Sequence, residues 1–206
     1  MMPNARANSA AAMVMTKMAM TKPVVSVTAM KLVEEGKLNV DDPVSKYIPE
    51  FANLSVLQRD GTTAPAENPM LVKHLMSHTS GLIYSFIIPS LPLSKMYVEG
   101  GEMRTDLTAL DYSRELAKLP LAAEPGTAWN YSRSTDVLGG VVEAASGQSL
   151  GEAVRQRVTG PLGMTDTAFF QPASKQARFA ESKLQTEIAG SSMFYDYTAE
   201  TAFMSG

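Results

Sequence analysis

The stretch Ala19-Met20-Thr21-Lys22-Pro23 opens a predicted helix and has the form of a catalytic pair in which one member is changed. A serine and a lysine three positions apart lie on one face of a helix, close enough for the amine to take the proton of the hydroxyl. Lys22 is present, but alanine occupies position 19, where the hydroxyl belongs. The stretch therefore predicts a base without its nucleophile.

The segment that follows predicts a helix that is held by packing. Pro23 stands near its start and Gly36 follows Glu35 at its end, which are the positions that proline and glycine favour. The β-branched residues Val24 and Val25 lower the helix propensity of the first turns. We therefore expect burial of one face to stabilise this helix.

Further helices are predicted along the chain, separated by turns rich in glycine and proline. Residues 41–49 are predicted to form a helical turn capped by aspartate. Residues 54–69 are predicted to be a polar connection with a turn at Asp60-Gly61, and residues 82–104 a long loop. No run alternates apolar and polar residues for long enough to predict a free-standing sheet. The remaining predicted helices are 71–77, 106–119, 134–145 and 150–158.

The composition excludes several kinds of chemistry. Of the 206 residues, 45% are hydrophobic and 19% are charged, which is ordinary for a soluble globular protein. The net charge of −3 gives no electrostatic reason to expect nucleic acid or a membrane as a partner. With no cysteine, the chain has no disulfide, no thiolate nucleophile and no cysteine-based metal site.

The N-terminal residues differ in character from the rest. Residues 13–17, Met-Val-Met-Thr-Lys, are repeated almost unchanged at 18–22, and neither copy contains a serine. The apolar run at 9–15 is too short to span a bilayer and lacks a convincing cleavage site, so a signal peptide is the weaker interpretation. We expect a cytoplasmic location, with export as the open alternative. We predict that residues 1–18 form an atypical N-terminal segment and that residues 19–206 form the domain.

Seven stretches between residues 20 and 170 form a recognisable series. They are Met20-Thr-Lys-Pro-Val24, Leu32-Val-Glu-Glu-Gly-Lys-Leu38, Asp41-Asp-Pro-Val-Ser-Lys-Tyr-Ile-Pro-Glu-Phe51, Val72-Lys-His-Leu-Met-Ser-His-Thr-Ser-Gly-Leu82, Pro125-Gly-Thr127, Tyr131-Ser-Arg-Ser-Thr-Asp-Val-Leu-Gly139 and Gly160-Pro-Leu-Gly-Met164. In this order the series resembles the serine β-lactamase and penicillin-binding-protein superfamily, and within it the family VIII carboxylesterases, which share the class C β-lactamase fold.

The resemblance implies an α+β, transpeptidase-like fold and an acyl-transfer hydrolase. In the family, a serine at the start of a helix attacks an ester or lactam carbonyl, while a lysine and a tyrosine shuttle its proton. The matching catalytic positions here are Ala19, at the nucleophile position, Lys22 and Tyr131. A helix N-terminus suits a developing oxyanion because its N–H groups are unpaired. The implied substrate is a small ester, and no cofactor is implied.

The departures from the family pattern change the expectation. Arg133 stands two positions after Tyr131, where related β-lactamases carry an asparagine that contacts substrate. We therefore expect esters to be favoured over lactams, with Arg133 as a candidate substrate-binding residue. The family's third motif and C-terminal strands have no counterpart up to residue 206, and the strands expected ahead of the helix are not recognisable in 1–18.

We therefore expect this chain to cover mainly the helical domain and the catalytic helix, without most of the antiparallel sheet. A helix meant to pack on a sheet would then leave its apolar face exposed. Exposed apolar surface favours self-association, so a homo-oligomer is the partner that we expect besides the substrate.

Other candidate sites are weaker. His74 and His78 are spaced for one helix face, as metal ligands would be, but Leu75 stands where a zinc protease needs glutamate and no third ligand is signalled. We therefore expect no metal. Ser80, in His-Thr-Ser-Gly, is favoured as a turn residue over a nucleophile. No Gly-x-Ser-x-Gly motif occurs, which argues against the usual α/β type of serine hydrolase.

Two smaller interpretations concern side chains outside the catalytic motifs. Trp129 is expected to anchor the loop that carries Tyr131. The acidic pairs Glu34-Glu35 and Asp41-Asp42 are interpreted as solvated charges at helix ends.

Two hypotheses of different class follow for the function. The first is a serine hydrolase that cleaves short-chain carboxylic esters, with its nucleophile lost at Ala19 by inheritance or by engineering. The second is a non-catalytic, truncated or degenerate homologue that binds acyl ligands or another protein. Lys22 and Tyr131 favour the first as the identity of the family, while Ala19 favours the second as the behaviour of this chain.

Overall fold

The computed structural model describes residues 21–87, 90–169 and 174–175, together with the strands 183–188 and 191–196. The chain divides into two compact units, and the larger one comprises residues 24–163. The described residues on either side of this range belong to the smaller unit. Ala19 and the predicted N-terminal segment 1–18 lie outside the described residues.

Helices account for most of the regular structure in the described residues. The α-helices are α1, residues 21–34; α2, Val72–Met76; α3, Pro92–Glu99; α4, Ala109–Leu116; α5, Ser134–Ser146; and α6, Leu150–Val154. Two 3₁₀ turns span Val44–Lys46 and Pro49–Ala52, and α6 continues into one π-helical turn, Arg155–Thr159. Within the described ranges, no helix combines the length and the apolar character needed to cross a bilayer.

Two antiparallel strand pairs complete the α+β content that the resemblance implied. In the larger unit, β1, Ser55–Leu57, pairs with β2, Thr63–Pro65. In the smaller unit, β3, Lys183–Ile188, pairs with β4, Ser191–Asp196, in a register that sets Lys183 opposite Asp196.

Helix α1 is stabilised by the burial of one of its faces, as its sequence predicts. Val25, Ala29 and Leu32 lie in the core at a spacing of three to four residues, which places them on one side of the helix. The hydroxyl of Thr28 on the same face donates to the carbonyl of Val24 at 2.9 Å. The helix ends before Gly36, whose φ of 70° is the left-handed conformation that glycine adopts at a helix end.

Helix α5 lies against α4 at unusually close range. Its buried residues include Val137, Leu138, Val141 and Val142. A Cβ atom at Gly140 would come within 2.3 Å of the Ser113 hydroxyl and 2.9 Å of the Ala109 carbonyl. Glycine is therefore required where the backbones of the two helices approach each other.

The segment predicted as a polar connection contains the hairpin of β1 and β2. Gly61, with φ of 86°, forms part of the predicted turn. The prediction of a polar connection omitted these strands, because each has three residues, too few to produce an alternating pattern.

The predicted loop at 82–104 contains helix α3. Pro92 is in the first turn of this helix, and Gly100 follows its last residue. The residue types that predict a loop here instead begin and end a helix, which are positions that proline and glycine favour.

The two acidic pairs do more than carry solvated charge. At the end of α1, both carboxylate oxygens of Glu35 bind Arg157, with Nε at 2.8 Å and the second nitrogen at 3.0 Å. The Arg157 guanidinium, aided by Lys37, lowers the pKa of Glu35 to about 2. Asp42 does not cap the turn after it, but accepts from Lys46 at 2.7 Å and from the hydroxyl of Tyr47 at 2.6 Å.

The chain that leads to Tyr131 is paired along its backbone with the segment after α2. Leu121 exchanges two backbone hydrogen bonds with β1, of 2.7 and 2.9 Å. The N–H of Ala122 then donates to the carbonyl of Gly81, and that of Gly126 donates to the carbonyl of Thr79, each at 2.8 Å. These bonds fix the course of the chain before it reaches the candidate site.

Candidate active site

The predicted catalytic positions are distributed between the two units. Lys22 lies in α1, within the first turn of its described part, and its side chain is half-buried. It belongs to the smaller unit, whereas Tyr131 belongs to the larger one. Position 19 lies outside the described residues. The contacts described below are those of Tyr131 within the larger unit, and the catalytic roles of Ala19, Lys22 and Tyr131 stay predictions.

Aromatic rings flank Tyr131, which is itself half-buried. The imidazole of His78 lies 4.9 Å from its ring, centroid to centroid, and the ring of Tyr84 lies 5.4 Å away. Tyr84 is buried and stacks on Phe86 at 5.0 Å. Burial, with the charge of Asp136, raises the pKa of Tyr84 above its usual range, so its phenol stays neutral. Tyr131 is therefore held between a histidine and a neutral phenol.

His78 contacts the Tyr131 loop, residues 129–133, through both its backbone and its side chain. Its carbonyl accepts from the N–H of Asn130 at 2.8 Å. Its Nδ1 accepts from the N–H of Ser132 at 3.3 Å. These two bonds flank Tyr131 on either side in the sequence, so His78 holds the tyrosine's backbone at both neighbours.

Further bonds tie the Tyr131 loop to the segment 82–83. The side-chain amide of Asn130 donates to the carbonyl of Leu82 at 3.0 Å. The N–H of Arg133 donates to the carbonyl of Ile83 at 3.4 Å. Bonds before and after the tyrosine give the loop one defined path.

Arg133 and Glu102 form a buried ion pair next to the loop. Nε of Arg133 lies 2.9 Å from Oε1 of Glu102, and their side chains are 6% and 0% exposed. Both carboxylate oxygens also lie 3.2 Å from the N–H of Ser85, which donates to them. The guanidinium carbon stands 4.8 Å from the ring centroid of Tyr84. The substrate contact expected of Arg133 stays a prediction, and these contacts favour a structural role.

Neighbouring groups keep the buried Arg133 charged. Burial disfavours its guanidinium, but Tyr112, Asp136 and Glu102 more than offset this and hold its pKa above the ordinary value. The hydroxyl of Tyr112 in turn donates to the backbone carbonyl of Glu102 at 2.7 Å. The pair is thus part of a hydrogen-bonded network that includes α4.

Ser80 occupies a turn, as predicted, and is fully buried. Its hydroxyl lies 2.8 Å from that of Ser134 and accepts from the N–H of Leu82 at 3.2 Å. Ser132 and Ser134 share a further hydroxyl contact of 2.7 Å. A hydroxyl held this way has no access to a substrate, so Ser80 is not a candidate nucleophile.

Trp129 does not anchor the loop, contrary to the prediction. Its side chain is 69% exposed, and its ring meets His78 edge-on at 6.5 Å. The anchoring contacts belong instead to His78 and Asn130, which bind the loop by hydrogen bonds.

The two histidines serve different segments. Nδ1 of His74 accepts from the N–H of Leu71 at 3.2 Å, at the start of α2. Burial and the nearby Lys73 lower the pKa of His74, which favours this neutral acceptor form. Within the part of the chain that the structure describes, no group of three or more acidic or histidine side chains is arranged to hold a metal ion.

Sequence reasoning missed two residues of the site. The spacing of His78 from His74 suggests a metal ligand, and Glu102 lies in the predicted loop 82–104. Glu102 lies 31 residues from Arg133, so no local spacing could pair them. For His78 a signal exists, since it stands in the Ser-His-Thr-Ser-Gly turn that begins where α2 ends.

Comparison with known proteins places this geometry in context. A family model described as Beta-lactamase matches residues 11–197. Protein Rv1367c of Mycobacterium tuberculosis is 38% identical over 170 residues. The match covers 78% of this chain and 40% of Rv1367c. Esterase EstB of Burkholderia gladioli is 37% identical over 161 residues, covering 78% of this chain and 39% of EstB.

A solved structure shows the same fold. EstCE1, described as a hydrolase with promiscuous acyltransferase activity, superposes with a TM-score of 0.65 at 32% sequence identity. The match covers 84% of this chain and 43% of EstCE1. This chain therefore spans about two fifths of the length of the relatives that it matches.

Proposed function

Because this chain belongs to the Beta-lactamase family, we propose that it carries part of an acyl-transfer site for short-chain carboxylic esters, in which Ala19 replaces the nucleophile. The site would be of the family VIII carboxylesterase type. An esterase and a hydrolase with acyltransferase activity are among the relatives, which supports esters as the substrate class.

The observation that carries the proposal is the setting of Tyr131. Its ring is flanked by His78 and Tyr84, and its loop is tied to the chain on both sides of it. A proton-transfer group must keep one orientation, because catalysis by proximity depends on sub-ångström placement. The restraints on this half-buried tyrosine are those that a proton-transfer group requires, which supports the proposal.

The proposed chemistry is a double displacement at the ester carbonyl. A serine hydroxyl at position 19 would give its one proton to Lys22 or to Tyr131, the two proton-transfer groups, while its oxygen bonds to the carbonyl carbon. The bond to the alcohol then breaks, and the alcohol leaves with that proton. Water attacks the resulting acyl-enzyme in the same manner and releases the carboxylic acid.

Alanine at position 19 stops this sequence before its first step. A methyl group has no lone pair with which to attack and no proton to transfer. In a well-studied serine protease, loss of the nucleophile alone lowers kcat on the order of 10⁶-fold. We therefore expect this chain, as it stands, to turn over no ester measurably above the rate in water.

The test is hydrolysis of p-nitrophenyl acetate and butyrate by this chain and by its Ala19→Ser variant. Hydrolysis by Ala19→Ser alone is the expected result. The variants Ala19→Ser/Lys22→Met and Ala19→Ser/Tyr131→Phe should lose that gain, since each removes one proton-transfer group. Ala19→Ser/Tyr47→Phe is the matched control, because Tyr47 binds Asp42 away from the Tyr131 loop.

The second candidate function is a non-catalytic homologue that binds acyl ligands or another protein, and Ala19 is the observation that favours it. An Ala19→Ser variant that folds with the same circular dichroism spectrum but hydrolyses neither ester would support this alternative. This result would also contradict the proposal that the site is complete apart from its nucleophile.

A further inference from the structure

His78 has a backbone conformation that is rare for its residue type. Its φ is 56°, and it is the one non-glycine residue in the described part of the chain with a positive φ. Histidine reaches this left-handed region more readily than most residues, yet the conformation is strained and persists where surrounding contacts fix it. Here the fixing contacts are known: the Asn130 N–H binds the carbonyl and the Ser132 N–H binds Nδ1.

The left-handed turn gives one residue two acceptors that face the same loop. The carbonyl and Nδ1 of His78 bind the residues immediately before and after Tyr131. The imidazole lies 4.9 Å from the Tyr131 ring, with 41° between the two planes. His78 therefore restrains both the backbone and the ring of this tyrosine.

We propose that His78 is the positioning residue of Tyr131, setting the orientation of its phenol for proton transfer. The effect of His78 on proton transfer rests on the proposed function. Its restraint of the Tyr131 loop does not. His78 acts through Tyr131 and needs no contact with a substrate.

The proposal requires a hydrogen-bond acceptor at the side chain. Because Nδ1 accepts the Ser132 N–H, the neutral imidazole carries its proton on Nε2. Any replacement that keeps the acceptor and tolerates a positive φ should keep the loop in place. Asparagine meets both conditions, since its amide oxygen accepts and since it visits the left-handed region more often than most residues.

Three variants separate the contributions of backbone and side chain. His78→Gly keeps the left-handed backbone and removes the acceptor. His78→Asn keeps both, without the ring. His74→Asn is the matched control, because His74 is the other histidine and binds Leu71 instead of the loop.

The first measurement is amide hydrogen exchange by NMR on this chain as it stands. We expect the Ser132 amide to lose protection by at least about tenfold in His78→Gly and to keep it in His78→Asn and His74→Asn. The Asn130 amide, which binds the backbone carbonyl, should remain protected in all three variants. Unchanged protection of Ser132 in His78→Gly would overturn the proposal, whether or not the protein is an enzyme.

The second measurement is steady-state ester hydrolysis in the Ala19→Ser background. A misplaced proton-transfer group should lower kcat by up to about 10²-fold and leave KM within about twofold. We expect this for His78→Gly, with most of the rate restored in His78→Asn. Equal kcat for His78→Gly and its parent would contradict the positioning role.

The two measurements keep the two hypotheses apart. An inactive Ala19→Ser parent contradicts the proposed function, while the exchange of the Ser132 amide still decides whether His78 fixes the loop. A merely structural histidine would lower the melting temperature without the split between kcat and KM. The rescue by asparagine excludes a requirement for the ring itself.

Discussion

Arg133 and Glu102 are joined by a hydrogen-bonded ion pair of 2.9 Å that is almost completely buried. Glu102 lies in the chain after α3. Arg133 directly follows Ser132, whose N–H donates to His78. The pair thus supports the Tyr131 loop from the side of the core, while His78 supports it from the turn after α2.

Removing one member of this pair should cost more stability than removing both. Glu102→Ala leaves the Arg133 charge buried without its partner, and such a loss typically costs about 3–5 kcal/mol of unfolding free energy. The double variant Glu102→Leu/Arg133→Met removes both charges and should recover most of that loss. Urea denaturation measures both effects.

The exposed pair of Arg104 and Asp106 provides the control for this experiment. Its members are bound at 2.6 Å, yet both are largely solvent-exposed. Asp106→Ala should therefore change the unfolding free energy far less than Glu102→Ala does. A loss for Glu102→Ala as small as that for Asp106→Ala would contradict the structural role of the buried pair.

Acid should destabilise the larger unit partly through Glu35. Its pKa is lowered to about 2 by Arg157 and then by Lys37, so its carboxylate stabilises the fold fully above its ordinary pKa near 4.5. That contribution falls as the pH drops from about 4.5 towards 2. Arg157→Gln should flatten the dependence of unfolding free energy on pH in this window.

The control for the acid experiment is Lys118→Gln. Lys118 and Glu115 form an exposed pair within three residues of each other, which contributes little to stability. We expect the pH profile of this variant to follow the parent. Identical profiles for Arg157→Gln and the parent would show that the Glu35 pair does not govern acid stability.

Glu143 on α5 serves two helices at once. Its Oε2 accepts from the N–H of Leu110 in the first turn of α4, and its Oε1 accepts from the N–H of Leu150 at the start of α6, each at 2.8 Å. Both donors lack a partner within their own helices. Glu143→Ala should lower the unfolding free energy by about 2 kcal/mol, measured by urea denaturation. Glu143→Gln keeps one acceptor and should lose about half as much.

Gly140→Ala should destabilise the protein although alanine is the better helix former. In an exposed helix this change usually gains about 1 kcal/mol. Here the new methyl group would meet the Ser113 hydroxyl at 2.3 Å and the backbone of Ala109 at 2.9 Å, so α4 and α5 must separate. A melting temperature above that of the parent would show that the helices adapt without cost.

The sequence predicted the long helices and the family, but few of the contacts that build the site. Helices α1 and α5 were predictable because Gly36 and Gly147 mark their ends and their buried residues recur at helical spacing. Helix α3 is not predicted, because its proline and glycine residues are typical of loops as well as of helix ends. The strand pair β3 and β4 is not predicted, because Thr186 interrupts the apolar positions of β3, and because Met193, Phe194 and Tyr195 are consecutive in β4.

At the candidate site, sequence motifs predict a role for Tyr131 but do not reveal which residues hold it. The motif placed Arg133 near substrate, whereas the fold buries its guanidinium against Glu102 from a distant segment. Ion pairs between remote segments and a positive φ at histidine depend on tertiary structure, so local patterns do not reveal them. The exposure of Trp129 likewise follows from how the loop is tied down.

The most direct test of the account is the intact mass of the Ala19→Ser variant after brief exposure to p-nitrophenyl butyrate. If only the nucleophile is absent, the variant should gain the mass of one butyryl group, located by peptide mapping at position 19, while the parent chain gains none. Neither an adduct nor p-nitrophenol release from a folded Ala19→Ser variant would contradict the claim that the rest of the acyl-transfer site is in place.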